Sequence, residues 1–128
     1  MNEHTYSDNT HIWLVKDLWE AAKDLPVTSM ALTEIVDIDA LLGSHTWSKG
    51  KMSVIEIVDH HTRIQNADLQ YPVILTPEGH IADGVHRIVK AYLQGVRNLP
   101  TVKLQTMPKS KEVDQLVAEN NAWFVQDP

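Results

Sequence analysis

Five consecutive residues, Asp83-Gly84-Val85-His86-Arg87, combine side-chain types that can handle phosphate groups. Arginine can hold a phosphate through a two-pronged contact, and histidine can donate a hydrogen bond or a proton. Gly84 permits unusual backbone angles and close approach of a ligand, and Asp83 could accept a substrate hydroxyl or hold Mg²⁺ through a water molecule. A structural role also fits, with Asp83 as a helix cap and Gly84 as a turn. Asp83 and His86 are therefore candidate catalytic residues, and Gly84, His86 and Arg87 are candidate phosphate-binding residues.

The residues around this motif predict a strand, a turn, a second short strand and a helix. Residues 72–75 are apolar and bounded by turn residues, which is typical of a buried strand. The tetrapeptide 76–79 has proline second and glycine fourth, as in a type I turn. From Val85 the apolar residues recur at intervals of three and four, which predicts a helix capped by Gly95. The motif would then lie at a helix N-terminus, where backbone N–H groups and the helix dipole attract anions.

Composition limits the class of protein. The chain has 128 residues, of which 43% are hydrophobic and 22% charged, and these values predict one globular domain over residues 1–128. The formal charge of −6 argues against direct binding to DNA or to an anionic membrane. With no cysteine, disulfides and thiolate chemistry are excluded. Neither a signal peptide nor a membrane span is recognisable, so we expect a cytoplasmic protein.

Flanking segments predict the remaining elements. An N-terminal helix over about 11–24 would carry Trp13 and Trp19, which either pack on the sheet or bind a protein partner. The other expected elements are a strand over about 31–38, a helical turn at 39–43, a helix over 51–64, a strand over 101–106 and a C-terminal helix over about 109–122. Together they predict the α+β class.

The helix over 51–64 has an amphipathic pattern, with Val54, Ile57 and Val58 on one face. His60 and His61 are adjacent, so they point about 100° apart and cannot readily ligate one ion. No metal site is therefore predicted.

Just before that helix lies a loop that carries His45, Trp47 and Lys49. Loop residues on a rigid scaffold often bind ligands, although a loop tryptophan also serves as a lid over a core. Both roles stay open at this point.

From about residue 31 to residue 105 the chain resembles the ParB/sulfiredoxin-like superfamily. The matching layout is a leading strand, a helix, Pro-Val-Ile-Leu, a glycine turn, Ile-Ala-Asp-Gly-Val-His-Arg, a helix ending near Gly95, and Leu-Pro-Thr-Val-Lys-Leu. The resemblance implies a single α+β domain with a small mixed sheet packed by helices. Its core would cover about residues 31–106, preceded by an extra N-terminal helix.

This resemblance also implies a nucleotide site. Members bind nucleotide phosphates at the strand-to-helix junction, so ATP or CTP with Mg²⁺ is the expected ligand. Gly84, His86 and Arg87 match the phosphate-contacting motif, and Asp83 matches the acidic position of the kinase-like branch. The helix before the second strand also contributes phosphate contacts in the family, which adds three further candidate residues: Lys51, Ser53 and His60.

Departures from the family pattern leave the reaction open. Val85 stands where sulfiredoxins have a cysteine, which excludes sulfiredoxin chemistry, and residues 43–47 contain no acid where the kinase-like branch has a glutamate. A phosphotransferase or a nucleotide hydrolase is one reading. The alternatives are a non-catalytic module that binds a protein partner through the Trp13 and Trp19 helix, and a DNA-associated accessory or nuclease-like protein.

Overall fold

A computed structural model describes residues 5–8, 10–45, 47 and 50–112 of the chain. The chain has the predicted α+β class, and its described residues form two sheets. No helix in the described part is long and apolar enough to cross a membrane. In chain order the elements are β1 (Thr5–Ser7), β2 (His11–Leu14), α1 (Val15–Ala22), β3 (Thr28–Ala31), α2 (Leu32–Ile35), α3 (Ile38–Ser44), α4 (Val54–Asn66), β4 (Val73–Leu75), β5 (Ile81–Asp83), α5 (Val85–Gln94), β6 (Asn98–Lys103) and β7 (Lys111–Glu112).

A mixed four-stranded sheet in the order β3-β6-β4-β5 lies at the centre. Strand β6 pairs antiparallel with β3 and parallel with β4, and β4 pairs antiparallel with β5. All three residues of β4 are buried because both faces of the sheet are covered. Val73 and Leu75 pack in one apolar cluster with Ile88 of α5, whereas Ile74 packs in the other with Leu18 of α1. This alternation is the two-residue period of a strand.

The second sheet corrects the predicted N-terminal helix. Residues 11–14 form β2, which lies between β1 and β7, and the helix covers only Val15–Ala22. Ile12 and Trp13 are both buried, and Trp13 Nε1 donates a hydrogen bond to the Pro108 carbonyl at 2.8 Å. Strand pairing with distant residues therefore overrides the local helical pattern. As a consequence, Trp13 and Trp19 lie on different elements.

Other predicted boundaries also change. The expected strand over 31–38 is wrong, because β3 ends at Ala31 and the helices α2 and α3 follow. Leu32 and Ile35 have helical spacing and are both buried, and the Asp37 side chain caps α3 by accepting a hydrogen bond from the Ala40 N–H at 3.1 Å. The strand predicted at 101–106 is Asn98–Lys103. Of the predicted C-terminal helix, Lys111–Glu112 is β7, and residues 113–122 lie outside the described part.

Helix α4 turns its apolar face outward. It runs from Val54 to Asn66 rather than over 51–64, and all its residues are at least partly exposed. Val54 is 77% exposed and Val58 is 49% exposed, although an amphipathic helix normally buries such residues. The opposite side of the helix carries His60 and Arg63, and this polar side faces the rest of the domain.

Helix α5 offers a test of the core. Ile88 is fully buried between α5 and the sheet, whereas Leu93 on the same helix is 68% exposed. We expect Ile88→Ala to lower the free energy of unfolding by about 2–5 kcal/mol, because it leaves a cavity. Leu93→Ala should change the free energy by less than about 0.5 kcal/mol. Urea denaturation followed by circular dichroism measures both values, and equal effects would contradict this packing.

Candidate functional site

Gly84 joins β5 to α5 in a conformation that requires glycine. Its φ is +123° and its ψ is 13°, a region that L side chains rarely adopt. A Cβ atom at this position would lie 3.1 Å from Val73 Cγ2 and 3.1 Å from Arg87 Nη2. The missing side chain thus lets the junction pack directly against β4. Because the N-cap residue is glycine, the first turn of α5 has no capping side chain.

Asp83 links the junction to helix α1. Its Oδ2 atom accepts hydrogen bonds from Arg87 Nη2 at 3.1 Å and from Trp19 Nε1 at 2.8 Å. The Arg87 guanidinium also lies 5.5 Å from the centre of the Trp19 ring, within cation–π range. The side chains of Arg87 and Asp83 are 15% and 26% exposed. The observed role of Asp83 is therefore to position Arg87, and a catalytic role stays a prediction.

A cavity of about 640 Å³ opens beside this junction. Its walls come from α1, the C-terminal half of α4 and the start of α5. Among the described residues that line it, the basic side chains are Lys16, Arg63, His86 and Arg87, and the single carboxylate is Asp83. Asp83 pairs with Arg87, and the Arg63 guanidinium adds a further positive charge to the lining. Such a cavity favours an anionic ligand.

Arg87 retains one unused donor. Its Nε atom is buried and has no hydrogen-bond partner among the described residues. Buried donors in native structures almost always have a partner, so an unsatisfied one beside a cavity is informative.

At the edge of the cavity, two histidines and a tryptophan form a stack. His60 Nδ1 and His86 Nε2 are 2.9 Å apart, so one nitrogen donates a hydrogen bond and the other accepts it. The Trp47 ring lies nearly parallel to both imidazoles, with centroid distances of 4.3 Å to His60 and 4.8 Å to His86. The His45 ring meets Trp47 edge-on. The loop tryptophan thus contacts candidate site residues directly.

Desolvation favours the neutral forms of His60 and His45. Desolvation lowers the pKa of His60, and the Arg63 charge lowers it further, although the Glu56 and Asp59 carboxylates partly oppose this shift. Partial desolvation also lowers the pKa of His45. A neutral His60 can accept or donate in its bond to His86.

Candidate residues predicted from the sequence fall into two groups. Asp83, Gly84, His86 and Arg87 all line the cavity, and His60 hydrogen-bonds to His86. Two others lie apart from these residues. Lys51 is exposed, and Ser53 caps α4, where its hydroxyl accepts a hydrogen bond from the Glu56 N–H at 3.2 Å.

Four lining residues with polar side-chain groups were not predicted from the sequence as ligand contacts: Lys16, Trp19, Arg63 and Asn66. Residue spacing on two helices, α4 and α1, could have indicated some of these residues. Arg63 follows His60 by three positions on α4, and Trp19 follows Lys16 by three on α1, so each pair shares a helix face. That signal shows only which residues lie together. It does not show that both faces point at the Asp83–Arg87 motif.

Comparisons with protein-family models, with curated proteins and with solved structures found no match. The superfamily resemblance therefore stays a prediction. Within the described residues, no three His, Cys, Asp or Glu side chains gather as a metal-binding group. Arguments about function accordingly depend on the geometry of the cavity.

Gly84 can be tested by substitution. We expect Gly84→Ala to lower the free energy of unfolding by about 1–3 kcal/mol, because alanine is strained at this φ and its Cβ would press on Val73. Gly43 in α3 is the matched control, since nothing lies within 4 Å of the position of its Cβ. Gly43→Ala should be neutral or stabilise by about 0.5 kcal/mol. Thermal and urea unfolding measure both, and a harmless Gly84→Ala would contradict the junction geometry.

Proposed function

We propose that this domain binds the phosphate groups of a nucleotide in the cavity at the start of α5. The observation that carries the proposal is a pair of arginines, Arg63 on α4 and Arg87 on α5, that line this cavity beside a glycine junction. Arg63 and Arg87 come from different helices, so a phosphate between them can be held from two sides. The first turn of α5 adds backbone N–H groups that have no acceptor within the helix and a favourable dipole.

A nucleotide suits the cavity better than phosphate alone. A volume of about 640 Å³ lies within the usual range for sites that bind cofactor-sized molecules. Besides the basic residues, the lining includes apolar surface from Leu14, Val15, Trp19 and Ala67. A ligand that has both an anionic part and a flat apolar part would use both kinds of surface. ATP or CTP with Mg²⁺, as the superfamily resemblance implies, has this chemistry.

Any Mg²⁺ would have to arrive with the nucleotide. The single carboxylate among the described lining residues is Asp83, and it is already paired with Arg87 and Trp19. Nucleotide-bound Mg²⁺ normally keeps several water ligands and takes few from protein. The ion would neutralise phosphate charge, while the chain's own residues orient the nucleotide.

His86 is the residue best placed for proton transfer within this proposal. It lines the cavity and is held by its hydrogen bond to His60. If the domain transfers or hydrolyses a phosphoryl group, His86 would accept the proton of the attacking hydroxyl group or water molecule. Arg87 would stabilise the negative charge on the phosphoryl group that is transferred. Asp83 would fix Arg87 in place.

The alternative functions have less support. Trp13 is 7% exposed and belongs to a sheet, and Trp19 is engaged by Asp83 and Arg87, so the two residues do not form a partner-binding helix face. A role in DNA binding is not favoured by the formal charge of −6. Nucleotide binding is therefore the function to test first.

Isothermal titration with a panel of nucleotides, with and without Mg²⁺, tests the proposal. We expect ATP or CTP to bind to the wild type. Arg87→Gln and Arg63→Gln should each weaken binding by about tenfold to one hundredfold, since a hydrogen bond to a charged group is worth about 1.5–3 kcal/mol. Arg97→Gln is the matched control, because Arg97 is exposed and lies away from this cavity.

Circular dichroism of each variant shows whether it is folded, which separates a lost contact from a lost fold. A wild-type protein that neither binds nor is thermally stabilised by any nucleotide would refute the proposal. Equal losses in the Arg97→Gln control and the two cavity variants would also refute it, because the effect would then be one of net charge.

A further inference from the structure

His60 and His86 form a pair whose geometry limits how many protons it can carry. The His60 Nδ1 to His86 Nε2 distance of 2.9 Å is a hydrogen bond, so one nitrogen must hold a proton and the other must offer a lone pair. Two neutral rings meet this condition, and so does one neutral ring with one imidazolium. Two imidazolium rings do not. The pair can therefore gain one proton and keep its bond, but a second proton would break it.

Trp47 covers both rings with one aromatic face. Its plane is 10° from that of His60 and 11° from that of His86, and the two imidazoles are themselves 19° apart. The face of a tryptophan attracts a cation, so this contact stabilises the pair when it carries one proton. The stack thus provides a site for one proton, which His60 on α4 and His86 on α5 share.

The surrounding charges set the state of the pair before a ligand binds. Desolvation lowers the pKa of His60, and the Arg63 charge on the same helix lowers it further, while Glu56 and Asp59 act in the opposite direction. From the loop, His45 also lowers it. From the cavity side, the charged groups near His86 are Lys16, Arg87 and the paired Asp83. Desolvation, together with Arg63, favours the neutral form of His60. A bound anion would reverse the balance, because a nearby negative charge favours the protonated form of histidine.

We propose that His60 and His86 act as one proton-sharing unit, which takes up a single proton from solvent when a phosphate-bearing ligand binds in the cavity, beneath the covering face of Trp47. The inference rests on the proposed function, since it concerns the same cavity. Uptake of one full proton makes ligand affinity rise about tenfold for each unit of falling pH, because the two binding events are linked. His60 is then a positioning and proton-sharing residue that acts through His86.

Sulfate is the sharpest probe, because it keeps its dianionic charge across the neutral pH range and any proton uptake must come from the protein. Titration calorimetry in two buffers of different ionisation enthalpy counts the protons taken up. We expect about one proton in the wild type. The variant His60→Phe keeps a ring against Trp47 and removes the shared nitrogen, and we expect it to lose at least half of that uptake. The matched control His61→Phe changes an exposed neighbour on the same helix and should keep the wild-type value.

Sulfate or nucleotide binding without proton uptake would overturn this inference and leave the proposed function standing. Equal uptake in the wild type and in His60→Phe would overturn it as well. Absence of binding by sulfate and by every nucleotide would instead refute the proposed function.

If no ligand binds, a pH titration of the histidine nitrogens by NMR, without ligand, tests whether His60 and His86 share a proton. Two widely separated titration steps that collapse to one in His60→Phe would support a shared proton. Independent titration of His60 and His86, with each midpoint unchanged when the other residue is substituted, would overturn it.

Discussion

One carboxylate oxygen, Asp83 Oδ2, joins three parts of the molecule. It accepts hydrogen bonds from Arg87 in the first turn of α5 and from Trp19 in α1, and it lies at the end of β5. The pair is only partly exposed, so loss of either partner would leave a charge without compensation in a poorly solvated place. Packing of Leu18 and Ala22 against the sheet places α1, and the Asp83 contact then fixes Trp19 and Arg87 at one wall of the cavity.

The location of the site follows from the sheet order. Strand β5 is at an edge of the sheet, next to β4, so the junction after it has no neighbouring strand on its outer side. Helix α1 packs on one face of β4 and β5, α4 packs against α5, and the cavity is the space that remains between the three helices. Gly84 makes the arrangement workable, because its lack of a side chain brings the helix start against Val73 in the buried strand. The cavity therefore depends both on the local Asp83–Arg87 motif and on the packing of α1 and α4, which are distant from it in sequence.

Sequence reasoning succeeded where signals are local. The strand at 73–75 and the helix from Val85 to Gln94 follow the predicted pattern, and Gly95 adopts the left-handed conformation expected of the cap, with φ of +73°. It failed where distant pairing decides the structure. Ile12 continues the helical spacing of Val15 and Leu18, yet residues 11–14 become a strand because β1 and β7 lie on either side.

The candidate site divides in the same way. Asp83, Gly84, His86 and Arg87 are nearly contiguous, so a short motif was enough to select them. Arg63 and Lys16 reach the cavity only through the packing of α4 and α1, and no pattern within either helix specifies that packing.

Helix α4 shows why the periodicity of a helix does not determine which way its apolar face points. Hydrophobic spacing identified Val54 and Val58 as one face correctly, but burial in the core would have turned His60 and Arg63 toward solvent. The helix has the opposite orientation, in which Arg63 lines the cavity and His60 bonds to His86. Sequences violate such local rules mainly at functional sites, where a required polar contact outweighs the burial of apolar surface. The outward apolar face of α4 is thus the structural consequence of using its polar face to build one wall of the cavity and to hold His86.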